Sequence, residues 1–215
     1  MTRLEIAQHV ADTLQKTDTD SMALLKKFVD RRYDMIWNSA LWRETLGTTS
    51  YSVAASTSEV TLNSTVNFPV SIAWDENEII PSNYEQVFQV DPGLFSDTGT
   101  PTNFIVLPKD ADGNSVIRLI RTPDTAKTLL VLGKLKLVAL ADSDSPKISG
   151  VDNALLAFVE SDMLRHLRQY GKAQVTLQEA AGQMQLMRDL ETAQSAKVSR
   201  LIPSMAPQWD VNDLE

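Results

Sequence analysis

Cysteine is absent from this 215-residue chain, which excludes disulfides, thiolate zinc sites and a cysteine nucleophile together. Histidine is nearly absent. His9 and His166 each stand alone among helical residues, where a packed or surface imidazole is the ordinary role and a metal ligand would need company. No apolar run approaches the roughly 20 residues a membrane helix needs. The longest, Leu129 to Leu140, is broken by Gly133, Lys134 and Lys136. The start, Met1-Thr2-Arg3-Leu4-Glu5, has no apolar signal segment and reads as opening directly into a helix. Phosphate loops, nucleophile elbows, His-Glu-x-x-His and Gly-x-Gly-x-x-Gly are all missing. Asp110-Ala111-Asp112-Gly113-Asn114 spaces oxygen ligands as calcium loops do. The glycine and bidentate glutamate that an EF-hand then requires are Ser115 and Arg121, so an Asp-Gly hairpin turn is the expectation. No carboxylate pair is marked as an acid/base couple, no cofactor or metal site is expected, and the chain reads as a non-enzyme.

Charge is plentiful but lopsided. The net value is −8, and residues 1–42 balance to zero with six bases and six acids. Residues 71–112 hold eight acids (Asp75, Glu76, Glu78, Glu85, Asp91, Asp97, Asp110, Asp112) against Lys109 alone. Duplex binders use basic surfaces to displace counterions, so tight nucleic-acid binding is disfavoured. An acidic surface serves solubility, and it also suits a nucleic acid that must pass without sticking.

Hydrophobic periodicity divides the chain into four parts. Residues 1–45 form the N-terminal part of a helical body, 46–148 a β-rich insert, 149–202 the helices that complete the body, and 203–215 an extended docking tail. The 3.6-residue period predicts helices over Arg3 to Leu14 and Ser21 to Ala40. It predicts two more, from Val151 to Tyr170, stopped by Gly171, and from Lys172 to Arg200. Phe28, Ile36, Trp37, Trp42, Leu156, Val159 and Leu167 are the expected core of the helical body. Alternation predicts strands at Thr49–Val53, Val60–Leu62, Val70–Trp74, Asn103–Leu107, Ser115–Ile120 and Leu129–Leu140, the last kinked at Gly133. Glu76 to Thr102, dotted with proline and glycine, reads as a long functional or interface loop. The fold class expected is α+β: a bundle of about four helices, two N-terminal and two C-terminal, interrupted by an antiparallel insert. The last residues hold two prolines, three acids and the docking residues Trp209, Val211 and Leu214.

Phe28-Val29-Asp30-Arg31-Arg32-Tyr33-Asp34-Met35-Ile36-Trp37, closing with Leu41-Trp42, resembles the signature helix of the head-to-tail connector, or adaptor, proteins of tailed bacteriophages. Ala154-Leu155-Leu156-Ala157 to Leu167-Arg168-Gln169-Tyr170-Gly171 with its long following helix, and Ile117-Arg118-Leu119 with Thr122-Pro123-Asp124, are similar to the same family. Val151-Asp152-Asn153 departs from it, where relatives often carry an aromatic and a histidine. The resemblance implies a structural virion protein of the neck, assembled in the host cytoplasm. It implies a ring of about twelve copies beneath the portal protein. Such a ring extends the DNA channel and offers a platform to the tail or a second neck protein, while genomic DNA passes without specific binding. In that setting Arg31, Arg32, Arg165 and Arg168, with Trp209, Val211 and Leu214, are candidate interface residues. Asp75, Glu76, Glu78 and Glu85 are candidates for an acidic channel lining. No membrane partner is expected. The alternative is a β-sandwich ligand- or receptor-binding module on a helical stalk, whose sign would be Tyr51, Trp74, Tyr84 and Phe88 clustered on an exposed sheet face.

Overall fold

A computed structural model describes the backbone of residues 1–201 and the side chains of residues 1–193. The chain divides into two compact units. One joins Met1–Leu4 to Asp30–Ser149; the other joins Glu5–Val29 to the chain from Gly150 onward.

Helices supply the second unit. α1 (Arg3–Thr13) buries Ile6, Ala7, Val10 and Ala11, an i, i+4 stripe. α2 (Thr19–Ser39) starts behind Asp18, whose carboxylate accepts from the Ser21 amide at 2.9 Å, and buries Leu25 and Val29 before it enters the first unit. α4 (Val151–His166) is buried on most of its circumference, including Ser161, whose hydroxyl donates to the Ala173 carbonyl of α5 at 2.8 Å. α5 (Tyr170–Leu201) packs a narrow seam of Ala173, Ala180 and Met184. Gly171 does not stop α4. The chain turns earlier, with Arg168 at φ 60° and the Gln169 amide donating back to Leu164, and Gly171 lies in the first turn of α5. An arginine thus holds the left-handed position that glycine usually fills.

The first unit is built on a seven-stranded mixed sheet in the order β1-β7-β3-β4-β5-β6-β2. Its strands are β1 (Leu46–Val53), β2 (Glu59–Thr61), β3 (Val66–Trp74), β4 (Asn77–Pro81), β5 (Asn103–Leu107), β6 (Val116–Ile120) and β7 (Lys127–Leu135). All seven place residues in one core, from Val53 of β1 and Val60 of β2 to Trp74, Ile79, Phe104, Ile117 and Val131. The two edge strands share a core because the sheet curls on itself, nearly closed and barrel-like. β7, the last strand in sequence, lies between β1 and β3, with Leu46 opposite Lys134 and Val66 opposite Leu135. Pro69 sits in β3 opposite Gly133, where the register is irregular. Gly133 is required there, since a Cβ would fall 2.6 Å from Val66 Cγ1.

The helical bundle with an antiparallel insert is therefore not the architecture. The protein is α+β, with five α-helices among its described residues and a mixed sheet of seven strands. The expected Glu76-to-Thr102 loop contains β4, α3 (Tyr84–Val90) and a 3-10 turn over Pro92–Phe95. β4 then pairs in parallel with β5, Ile80 opposite Asn103. A parallel pair needs a crossover connection, and α3 is that crossover. The Asp110–Asn114 hairpin joins β5 to β6, and Asp110 accepts from the Asp112 and Asn114 amides.

Candidate assembly surface

Trp37 and Trp42 close α2 against the sheet of the first unit. The last carbonyls of a helix lack intrahelical donors and need others. Trp42 Nε1 donates to Ile36 O at 2.7 Å, as does the Ser39 hydroxyl at 2.8 Å. Lys134 of β7 supplies two more donors: its ammonium donates to Trp37 O at 2.7 Å and to Ala40 O, just past the helix, at 2.6 Å, and lies 5.7 Å from the centroid of the Trp37 ring. A cation at a helix C-terminus also complements the helix dipole. Lys134 is only 2% exposed, and burial pushes its ammonium below the ordinary lysine range. Trp37 Nε1 returns a bond to Leu135 O at 3.0 Å. Tyr33, edge-on to Trp37 at 5.9 Å, accepts the Lys147 amide at 2.8 Å, and burial raises its phenol above the ordinary tyrosine value. The N-terminus is fixed to the same unit: Arg3 holds Asp30 through two nitrogens and Asp142 through a third. These contacts make the signature segment a helix-to-sheet lock.

The outward face of α3 is different in kind. A capping box, Asn83 with Gln86, starts this helix. Val87 anchors it against Ile105 and Ile120, and Tyr84 stacks on Phe95 at 5.5 Å with Arg118 over that ring. With Val87 against the sheet, Val90 (81% exposed) lies beside Ile80 of β4 (63%), while Phe88 (64%) projects from the opposite side of α3. A cleft of about 430 Å³ lies here, bounded by Ile80, Gln86, Val90, Leu94 and Asn103. Exposed Glu78, Glu85, Asp91 and Asp97 surround it in sequence. Contiguous exposed apolar side chains with a charged border mark interaction surfaces on soluble domains.

The residues singled out from sequence are placed as follows. Ile36, Trp37, Trp42 and Val159 are buried, while Phe28, Leu156 and Leu167 are half-buried. The contacts of Trp37 described above run to β7. Arg31, Arg165 and Arg168 are exposed, and Arg32 is half-buried with a donor on the Met35 sulfur. Asp75, Glu76, Glu78 and Glu85 are all exposed. Three of them share the β3–β4 hairpin, where Asp75 pairs with Lys127 and Glu78 accepts from Ser71. Glu85 is on α3. Trp209, Val211 and Leu214 lie outside the described residues, as does the whole 203–215 tail. Trp74 is buried and Tyr51 packs on the core, so the aromatic sheet face of a ligand-binding module is not formed by them.

Lys134, Tyr33 and the α3 face escaped the sequence reading. Asn83-x-x-Gln86 was a legible helix start. A lysine between Gly133 and Leu135 carried no sign that it would be buried. Among the described residues no three metal-ligating side chains converge, and no helix is long and apolar enough to cross a membrane. Searched against models of known protein families and against curated proteins, the chain matches none.

Proposed function

We propose that this protein is a head-to-tail adaptor of a tailed-phage virion, assembling as a ring beneath the portal protein and serving as a platform for the tail or a second neck protein. The observation that carries the reading is the exposed apolar pair of Ile80 on β4 and Val90 on α3, held beside a helix that Val87 anchors to the sheet, with exposed acids nearby in sequence. Large apolar side chains held in fixed positions are the usual anchors of protein interfaces. The helix-to-sheet lock around Trp37 supports it too, because the segment that resembles the adaptor family is used for rigidity. Heterologous contacts between identical copies close into rings when their rotation permits. A ring repeats the net charge of −8 in every copy, and a bore carrying exposed Glu76, Glu78 and Glu85 repels DNA phosphates and keeps the duplex mobile.

Purified portal rings tested for capture of the full-length protein decide the matter. The expected result is stable co-sedimentation that Val90→Asp abolishes without unfolding the chain, Val90 being 81% exposed. A full-length protein that never joins portal rings overturns the proposal.

A further inference from the structure

α5 carries apolar residues on two opposite faces. At about 100° per residue, Ala173, Ala180 and Met184 fall on the side that packs within the helical unit. Val175, Gly182, Leu186 and Ala193 fall within about 40° of one another on the opposite side, with Leu190 at their flank. That second stripe is open to solvent: Val175 is 67% exposed, Leu186 58% and Leu190 63%. Apolar residues on more than one side of a helix signal burial on more than one side. Gly182 is an independent sign. Glycine weakens an exposed helix interior, and a Cβ here would meet no atom within 4 Å, so no packing within the chain requires it. Its use on a helix face is to let another backbone approach closely. A cleft of about 440 Å³ opens beside the same stripe, lined by Leu14 just past α1, Leu164 of α4, and Lys172, Val175 and Thr176 of α5, all in the second unit.

We propose that this stripe pairs antiparallel with the same stripe of a second copy of the chain, forming a two-fold symmetric dimer through α5. Register and charge choose that occupant. In a two-fold contact residue i meets j while j meets i. Setting Val175 opposite Leu186 of the second copy also sets Lys172 opposite its Asp189, because both pairs are centred between residues 180 and 181. An apolar pair and an ion pair thus come into register together, on each side of the axis. Lys172 and Asp189 are both exposed, and the Asp189 carboxylate, which accepts from the Gln185 amide at 2.8 Å, has lone pairs to spare. Gly182 falls beside the axis, where the two helices come closest. Leu190 of each copy then reaches the cleft beside Val175 of the other. A parallel pairing would instead set Lys172 against Lys172 and Asp189 against Asp189. One group opposes the contact: exposed Glu179 lies near the axis and meets its own counterpart there. The dimer is therefore weak and reversible, as suits a single helix pair, well below the roughly 1,600 Å² of a standard stable interface. This inference does not depend on the portal reading; either can fail while the other stands.

Disulfide trapping in this cysteine-free protein tests the register. Val175→Cys with Leu186→Cys is expected to give a covalent dimer on oxidation, while either substitution alone gives none. The two positions lie about 16 Å apart along one helix, and each lies about as far from its own counterpart, beyond the roughly 7 Å a disulfide spans. Sedimentation equilibrium of the unsubstituted protein is expected to show mass rising with concentration from one copy toward two. Leu186→Glu lowers the association constant roughly ten-fold or more. Lys172→Glu weakens association, adding Asp189→Lys restores it, and Glu179→Gln tightens it. All these side chains are exposed, so an unchanged circular-dichroism spectrum serves as the check on the fold. A single-copy mass up to about 1 mM overturns the proposal. So does association that Leu186→Glu leaves intact, cross-linking of either single-cysteine variant, or a double charge reversal that fails to restore pairing.

Discussion

Replacing Lys134 by methionine isolates the energetic role of the helix-to-sheet lock. Methionine keeps most of the buried stem and removes the ammonium, leaving Trp37 O and Ala40 O without their donor. A buried carbonyl deprived of its donor costs about 1–3 kcal/mol, so two set a range of about 2–6 kcal/mol. Loss of the cation over the Trp37 ring and at the helix end adds about 1 kcal/mol. Against this stands relief from burying an ammonium, worth several kcal/mol in the same sense that depresses its pKa. The balance is a net destabilisation of about 2 kcal/mol, because Ala40 is half-buried and water can replace part of its bond. Lys134→Ala adds a cavity and about 2 kcal/mol more. The assay is urea denaturation followed by tryptophan fluorescence in a Trp209→Phe background. Trp37, Trp42 and Trp74 all belong to the first unit, so the signal reports its unfolding alone. With a slope of about 2 kcal/mol/M, Lys134→Met lowers the midpoint by about 1 M. A midpoint unchanged or raised would refute the argument, showing that desolvation outweighs the two capped carbonyls.

Tyr33 gives a pH prediction. Burial raises its pKa in the folded state, so above the ordinary value of 10.0 the unfolded chain loses its phenolic proton while the fold retains it. Stability therefore falls as pH rises from 10.0 toward the folded value. Tyr33→Phe, which loses one hydrogen bond and about 1 kcal/mol at neutral pH, is immune to this fall. The gap between the two proteins should narrow in alkali, and parallel stability curves would contradict the assignment. Gly133→Ala forces a methyl against Val66 Cγ1 on a stiff β-branched side chain and should cost about 2 kcal/mol. Adding Val66→Ala should recover part of the loss, seen as a coupling of about 0.5 kcal/mol or more in a double-mutant cycle.

Local periodicity was legible wherever one face of an element met one environment. Arg3–Thr13, Val116–Ile120 and Asn103–Leu107 lie within a residue or so of their predicted bounds. The mixed sheet was not legible, because β4 is five residues long, ends on Pro81 and lies among turn-forming residues. Its parallel pairing with β5 depends on the α3 crossover, whose capping box is a faint signal in a short helix. β7 was drawn too long for a plainer reason. Leu137 and Val138 look like more strand, but both partner strands begin opposite Lys134 and Leu135, so past the bond from Lys136 N to Thr65 O no neighbour remains to pair with. Arg168 misled similarly, since a left-handed arginine does the work expected of Gly171. As for the surfaces, an exposed Phe88 cannot be told from a buried one until its neighbour Val87 is seen facing the sheet.

The position of β7 constrains how the molecule is made. β1 and β3 never pair with each other; both wait for a strand that leaves the ribosome only after residue 135. Until then some eighty residues of nascent chain carry two unsatisfied strand edges, the condition under which polypeptides cross-pair with their neighbours. Arg3 waits as long for Asp142. Contacts so distant in sequence slow the search for the native state. The sheet of the first unit is thus completed late, only once β7 is available to both neighbours. The unit's yield in cells should be governed by chaperone supply and synthesis rate more than by final stability.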